Sequence, residues 1–161
     1  EDFKIYGDYK MNITNSSSLS FVNTLGVTPM ASLELNRKEL GNLKYPYSSL
    51  IYGRAEVMIS EYNLIKSVLG INDKKLHVLK DRKGEEFPVV IDKFGRTNIY
   101  NSHILNLLEY KDDLIKLKSS VLRLDFLEEG YDESKLVLES FINGKKSEGS
   151  WTYGHFKRGV L

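Results

Sequence analysis

The sequence predicts an α/β protein, a parallel sheet or barrel interrupted by a small antiparallel β insert. Three observations carry that reading. Apolar runs of strand length alternate with helix-forming stretches from Phe3 to Ser60. Hairpin turn signals then cluster between Lys83 and Gly95. Beyond them, helix and strand patterning resumes from His103 to Gly144.

Phe3–Ile13 reads as the first strand. Asn15 is placed to cap a helix and Gly26 to stop it, with Leu19, Val22 and Leu25 at three-residue spacing on one buried stripe. Val27–Leu33 is a short apolar strand. Glu34–Leu43 is helix-forming and ends before the turn at Pro46. Leu50–Ser60 forms a further strand, with Glu61 and Tyr62 at its carboxyl end. The order so far is β, α, β, α, β. The grammar then changes, because Leu76–Arg82 and Glu86–Ile91 are joined by Lys83-Gly84, a hairpin signal. A second turn at Lys93–Gly95 leads into Thr97–Tyr100. The pattern over His103–Leu117 predicts a helix with Ile104, Leu107, Leu108, Leu114 and Leu117 on its apolar face. Val121–Leu127 is the next strand. Asp132 caps a last helix with Leu138, Phe141 and Ile142 facing inward and Gly144 as its stop. Lys145–Ser150 is a polar linker, and Trp151–Leu161 is an aromatic, basic tail.

At 161 residues the chain suits a single domain. Twenty-three Lys and Arg against 22 acids give a formal charge of +1. That balance gives no electrostatic case for RNA or DNA, whose binding domains carry clustered bases. The absence of cysteine excludes disulfides, a thiol nucleophile and cysteine-ligated metal. No apolar run approaches the roughly 20 residues that span a bilayer. A cytoplasmic protein without membrane association is the expectation. The sequons at Asn12 and Asn15 are then chance matches. Glu1 opens almost directly into a strand, which points to a fragment of a longer protein.

In a parallel β/α architecture, chemistry collects at the carboxyl ends of the strands. That rule selects Asn12, Asn15, Glu34, Glu61 and Asp125, although Asn15 and Glu34 read first as helix caps. Arg54 lies within an apolar strand, where a charge is buried only when paired. Arg123 and Asp125 share one strand face at i, i+2, either as an inward network or as a solvent-side pair. Asp81, Arg82, Asp92, Arg96, Asn101 and Ser102 crowd strand ends in the insert. Arginine beside carboxylate there either fixes an ion pair or holds a planar anion. His77 and His103 read as structural. His155 sits between glycines on the tail, with Lys157 and Arg158 beside it as donors. No HExxH spacing and no GxSxG elbow exists, so neither a zincin nor a serine hydrolase is supported, and no metal or other cofactor is expected.

Several motifs carry a resemblance. Tyr52–Gly70 reads YGRAEVMISEYNLIKSVLG, Asp81–Ser102 reads DRKGEEFPVVIDKFGRTNIYNS, and Tyr153–Val160 reads YGHFKRGV. Upstream, Met11–Leu35 contributes NITNS, LG and SLEL in matching order. Together these resemble the carboxy-terminal half of the collagenase-like peptidase family U-32, over nearly the whole chain. The resemblance implies the last four strands of an eight-stranded β/α barrel, a half TIM-like barrel. On that scheme residues 1–70 and 103–144 form barrel units, 71–102 form the antiparallel insert and 145–161 the tail. The first half of the barrel becomes a missing partner, and the exposed sheet edge becomes a place for homo-oligomer formation. Many relatives carry cluster-binding cysteines at the positions matching Asn63, the loop Ile71–Lys75 and Gly95, all of which lack cysteine here. An iron–sulfur centre is therefore not expected.

The activity implied is hydrolysis of a peptide or protein substrate. For hydrolysis without metal or thiol, Glu61 and Asp92 would activate water and Arg96 or Arg158 would stabilise an oxyanion, with His155 as a further catalytic candidate. Arg54, Asp81, Arg82, Asn101, Arg123 and Asp125 complete the substrate-binding set. The alternative is a cluster-free relative of the RNA-base or quinone hydroxylation factors, acting as a peptide- or RNA-binding module. A fragment lacking half the rim is expected to be inactive alone. The tail is expected to fold back toward Arg54, Glu61 and the insert, making one pocket for an anionic or carboxylate group.

Overall fold

The computed structural model describes residues 3–73, 75–143 and 151–158. It divides into two compact units, Glu1–Gly53 with Leu105–Leu161, and Arg54–Ile104. The first is the mixed β/α unit and the second is antiparallel.

The first unit contains β1 (Ile5–Tyr6), α1 (Ser16–Thr24), β2 (Val27–Thr28), α2 (Arg37–Asn42) and β3 (Tyr47–Gly53). Asn15 caps α1 by accepting hydrogen bonds from the Ser17 and Ser18 amides, as its short acceptor side chain and position ahead of an apolar stripe dictate. Asn36 and Glu39 form a reciprocal capping box at α2. Parallel pairing runs Ile5↔Val27 and Tyr6↔Thr28, then Ile13↔Ala31, then Met30↔Ser48. The predicted strand over Phe3–Ile13 is interrupted. Asp8 caps a single 3-10 turn at Tyr9–Met11, and Asn12 adopts a left-handed φ of 48° before Ile13 rejoins the pairing. A loop that supplies its own cap and left-handed turn residue bulges out without ending the strand's alignment.

The predicted strand over Leu50–Ser60 is two strands. Gly53 has φ +137°, and a Cβ there would lie 2.7 Å from the Asp125 carbonyl oxygen. The chain leaves the first unit at this close approach and continues as β4 (Glu56–Ser60) in the second. There α3 (Leu64–Leu69), β5 (His77–Lys80), β6 (Glu86–Ile91) and β7 (Thr97–Tyr100) follow. The sheet order β4-β7-β6-β5 is antiparallel throughout. The hairpin expected at Lys83-Gly84 and the strand at Thr97–Tyr100 are both present. The antiparallel unit begins at Arg54 rather than at residue 71, because β4 pairs with β7.

The helix predicted over His103–Leu117 is instead β8 (Ile104–Asn106), a 3-10 turn and the short α4 (Lys111–Lys116). Its apolar spacing suits either element, and pairing decides. Tyr52 and Gly53 face Asn106 and Leu105 antiparallel, and the Leu107 amide bonds the Ile51 carbonyl. Then β9 (Ser119–Leu124) pairs parallel with β3, α5 (Tyr131–Asn143) follows, and β10 (Trp151–Thr152) closes the order β10-β8-β3-β9. Within α5, Val137 is buried, whereas Leu138 and Ile142 are exposed, the reverse of the expected face. Gly144 lies outside the described residues. The core of this unit centres on Leu19, Met30, Tyr47, Leu50, Ile51, Leu108 and Leu114. The architecture is mixed α/β, and no closed barrel forms among the described residues. No helix there is long and apolar enough to cross a membrane.

Candidate functional site

The strongest polar cluster of the first unit lies at the carboxyl ends of its parallel strands. Arg123, near the end of β9, donates from Nε to Asp125 Oδ1 at 2.5 Å and from Nη1 to Asp8 Oδ2 at 2.6 Å. Asp125 is positioned by its own amide, which bonds the Tyr52 carbonyl at 2.9 Å, and by the absence of a side chain at Gly53. Asp8 is positioned by its capping bond from the Lys10 amide. All three side chains are half-buried. Desolvation pulls the Arg123 guanidinium down, but its bonds to Asp125 and Asp8 outweigh it and hold the group above its ordinary value.

Beside this cluster Tyr52 donates to Glu129 Oε1 at 3.1 Å and its ring meets Phe126 at 5.8 Å. Glu129 is itself held by the Leu127 and Glu128 amides. One guanidinium between two carboxylates leaves a net negative charge at the strand ends. Such a group can hold a substrate amine or amide donor and can accept a proton at a carboxylate.

In the second unit the acid–arginine pairs build turns. Asp81 Oδ1 accepts from the Lys83 and Glu85 amides at 2.7 and 2.9 Å, closing the first hairpin, while Arg82 is exposed. Asp92 Oδ1 accepts from the Phe94 and Arg96 amides, and its Oδ2 from Arg96 Nε at 2.8 Å. Desolvation raises the Asp92 carboxyl, yet these donors together bring it below the usual carboxylate range. Asp92 in turn raises the Arg96 guanidinium, with smaller electrostatic support from Glu61 and Glu56. Glu61 itself is exposed. Arg54 Nη1 donates to the carbonyls of Asn101 and Ser102 at 2.9 and 2.5 Å, tying the start of this unit to its end. The structure thus gathers Glu61, Asp92 and Arg96 in one neighbourhood and Arg54, Asn101 and Ser102 in another.

On the tail Phe156 is buried and its carbonyl accepts from the Arg37 amide at 2.8 Å. Tyr110 packs against Tyr153 and Phe156 at 5.7 and 5.1 Å, and Lys157 Nζ lies 3.6 Å from the Tyr153 ring centroid. These contacts anchor the segment within its own unit. His155 and Arg158 are exposed on it. Glu34 is exposed and its amide donates to Ser32 Oγ. Gly159 and Val160 lie outside the described residues.

Sequence reasoning selects Arg123 and Asp125 but misses Asp8, Tyr52 and Glu129. Asp8 carries no local signal for its second role, since its partner lies 115 residues away. Glu129 follows the carboxyl end of β9, so the strand-end rule was capable of finding it. Among the described residues no group of three or more His, Asp or Glu side chains is arranged to hold a metal ion. Comparisons with family models, with curated proteins and with solved structures give no match to this chain.

Proposed function

We propose that this chain supplies half of a β/α barrel of the collagenase-like peptidase type and that its strand-end cluster binds the peptide substrate. The observation that carries this reading is the stepwise parallel order of four strand positions ending on Asp8, Arg123 and Asp125. The other four strands come from a complementary half. Arg123 fixes the two carboxylates, and Asp125 presents acceptor oxygen to a peptide N–H or amino group. The carboxylates of the insert, engaged with turn amides, serve its architecture.

Calorimetric titration of the chain with a soluble collagen-like peptide tests this. Asp125→Asn is expected to weaken binding about tenfold, since a hydrogen bond to a charged group contributes about 1.5–3 kcal/mol. Binding unchanged in both Asp125→Asn and Arg123→Ala, with both variants folded, overturns the reading.

A further inference from the structure

The outer side of α1 borders an open groove of about 470 Å³, and none of the residues lining it belongs to the strand-end cluster. The helix turns Leu19 and Val22 into the core and leaves Ser16, Ser17, Ser20 and Phe21 on its other side. Ser16 with Ser20 and Ser17 with Phe21 each stand at i, i+4, so the four form one continuous stripe. The opposite wall is Lys44 and Tyr45, on the connection between α2 and β3. Two hydrogen bonds hold the walls together. The Lys44 amide donates to Ser16 Oγ at 3.1 Å, and the Asn23 side chain donates to the Pro46 carbonyl at 3.4 Å. The groove is therefore pinned near both ends of α1.

The walls expose a narrow range of chemistry. Phe21 is 65% and Tyr45 43% exposed, and among the described residues neither ring has an aromatic or cationic partner. The side-chain hydroxyls of Ser17, Ser20 and Tyr45 and the Lys44 ammonium are likewise unengaged there. No carboxylate and no side-chain amide lines the groove, so its polar equipment is hydroxyls and one ammonium, all able to donate. The carbonyls in the first turns of α1 are bonded within the helix. The Ser17 and Ser18 amides are already taken by Asn15. Apolar rings and side-chain donors are in supply, and backbone acceptors are scarce.

We propose that this groove binds a single proline-rich strand of a partner protein in the polyproline II conformation. Such a strand has no internal hydrogen bonds, so its carbonyls are free to accept, and its prolines carry no N–H that needs an acceptor. Aromatic-lined grooves recognise it in its preformed shape. Here the proline rings pack on Phe21 and Tyr45, while Ser17, Ser20, Tyr45 and Lys44 donate to the strand's carbonyls. A small ligand suits the groove less well, because a small-molecule site encloses most of its ligand's surface and this one lies open. A β-strand suits it less well too, because its N–H groups need the acceptors of a sheet edge. The partner strand is held, not cleaved, and its binding does not rest on the peptide reading of the strand-end cluster.

Calorimetric titration of the intact chain with a blocked oligoproline peptide tests this. Binding is expected, and Phe21→Ala and Tyr45→Ala, both at exposed side chains, are each expected to weaken it about tenfold. Tyr45→Phe keeps the ring and removes one donor, so a smaller loss of about threefold is expected. Phe94→Ala deletes a comparably exposed ring of the second unit and is expected to bind as the wild type does. A wild-type chain that does not bind the peptide overturns the proposal. So does binding indifferent to both Phe21→Ala and Tyr45→Ala, or weakened equally by Phe94→Ala, which marks adhesion to any exposed ring. Inorganic phosphate that binds the wild type but not Lys44→Ala, where oligoproline fails to bind, overturns it in favour of a small anion.

Discussion

Asp8 and Arg123 meet at 2.6 Å although they stand on the first and last members of the parallel order. In a flat layer three strand spacings separate such positions by about 14 Å. The long Arg123 side chain covers most of that span and carries its guanidinium to the Asp8 carboxylate. It also ties the amino-terminal segment to β9 across two intervening strands.

Arg123→Ala removes both partners of that guanidinium at once. The group is about two-fifths exposed, so solvent screening limits the loss. A decrease of about 1–2 kcal/mol in urea unfolding is expected, with mutual repulsion of Asp8 and Asp125 as part of it. An unchanged unfolding midpoint contradicts the structural role given to the cluster.

Gly53→Ala tests the chain's departure from β3. The position has φ +137°, and the added carbon meets Asp125 backbone and side-chain atoms at 2.7 and 2.8 Å. Strain and clash together are expected to cost about 2–4 kcal/mol. Thermal unfolding at an unaltered temperature rules out that close approach.

Tyr47 is fully buried, its phenol is pushed up to about 12 by desolvation, and its hydroxyl lacks a hydrogen-bond partner among the described residues. An unsatisfied buried hydroxyl costs about 1–3 kcal/mol. Tyr47→Phe keeps the ring and deletes the cost, so equal or greater stability is expected. A clear loss of stability shows that the hydroxyl has a partner in solution.

Asp92 supplies a pH dependence with a defined sign. Its carboxyl lies below the ordinary value of 3.8 in the folded chain. The stabilisation it gives is present above the unfolded value and is lost as pH falls through the folded one. Stability measured across the acid range, from about pH 5 to about pH 2, is expected to fall less steeply in Asp92→Asn than in the wild type. Parallel profiles show that the Arg96 and Phe94 donors do not favour the ionised form.

Caps and turns were legible because their chemistry is local. Asn15 needs only the next three residues to cap α1, and Lys83-Gly84 needs only two strands beside it. The elements that misled are those settled by distant partners. His103–Leu117 has helical spacing, but Tyr52 and Gly53 recruit its beginning into a strand. Leu50–Ser60 looks continuous until Asp125 arrives opposite Gly53. In the same way Arg123 and Asp125 were visible as an i, i+2 pair, whereas Asp8 joins them only through the tertiary fold, from 115 residues away. Asp81 and Asp92 drew attention as acids beside arginines, and the amides that occupy them belong to turns whose geometry a sequence does not display.

The central claim is that the strand-end cluster, rather than the carboxylates of the insert, meets the substrate. The most direct measurement is a side-by-side titration of a collagen-like peptide into Asp125→Asn and Asp92→Asn. The account predicts about a tenfold weakening for Asp125→Asn and wild-type affinity for Asp92→Asn. Weakening confined to Asp92→Asn contradicts it and moves the site to the antiparallel unit.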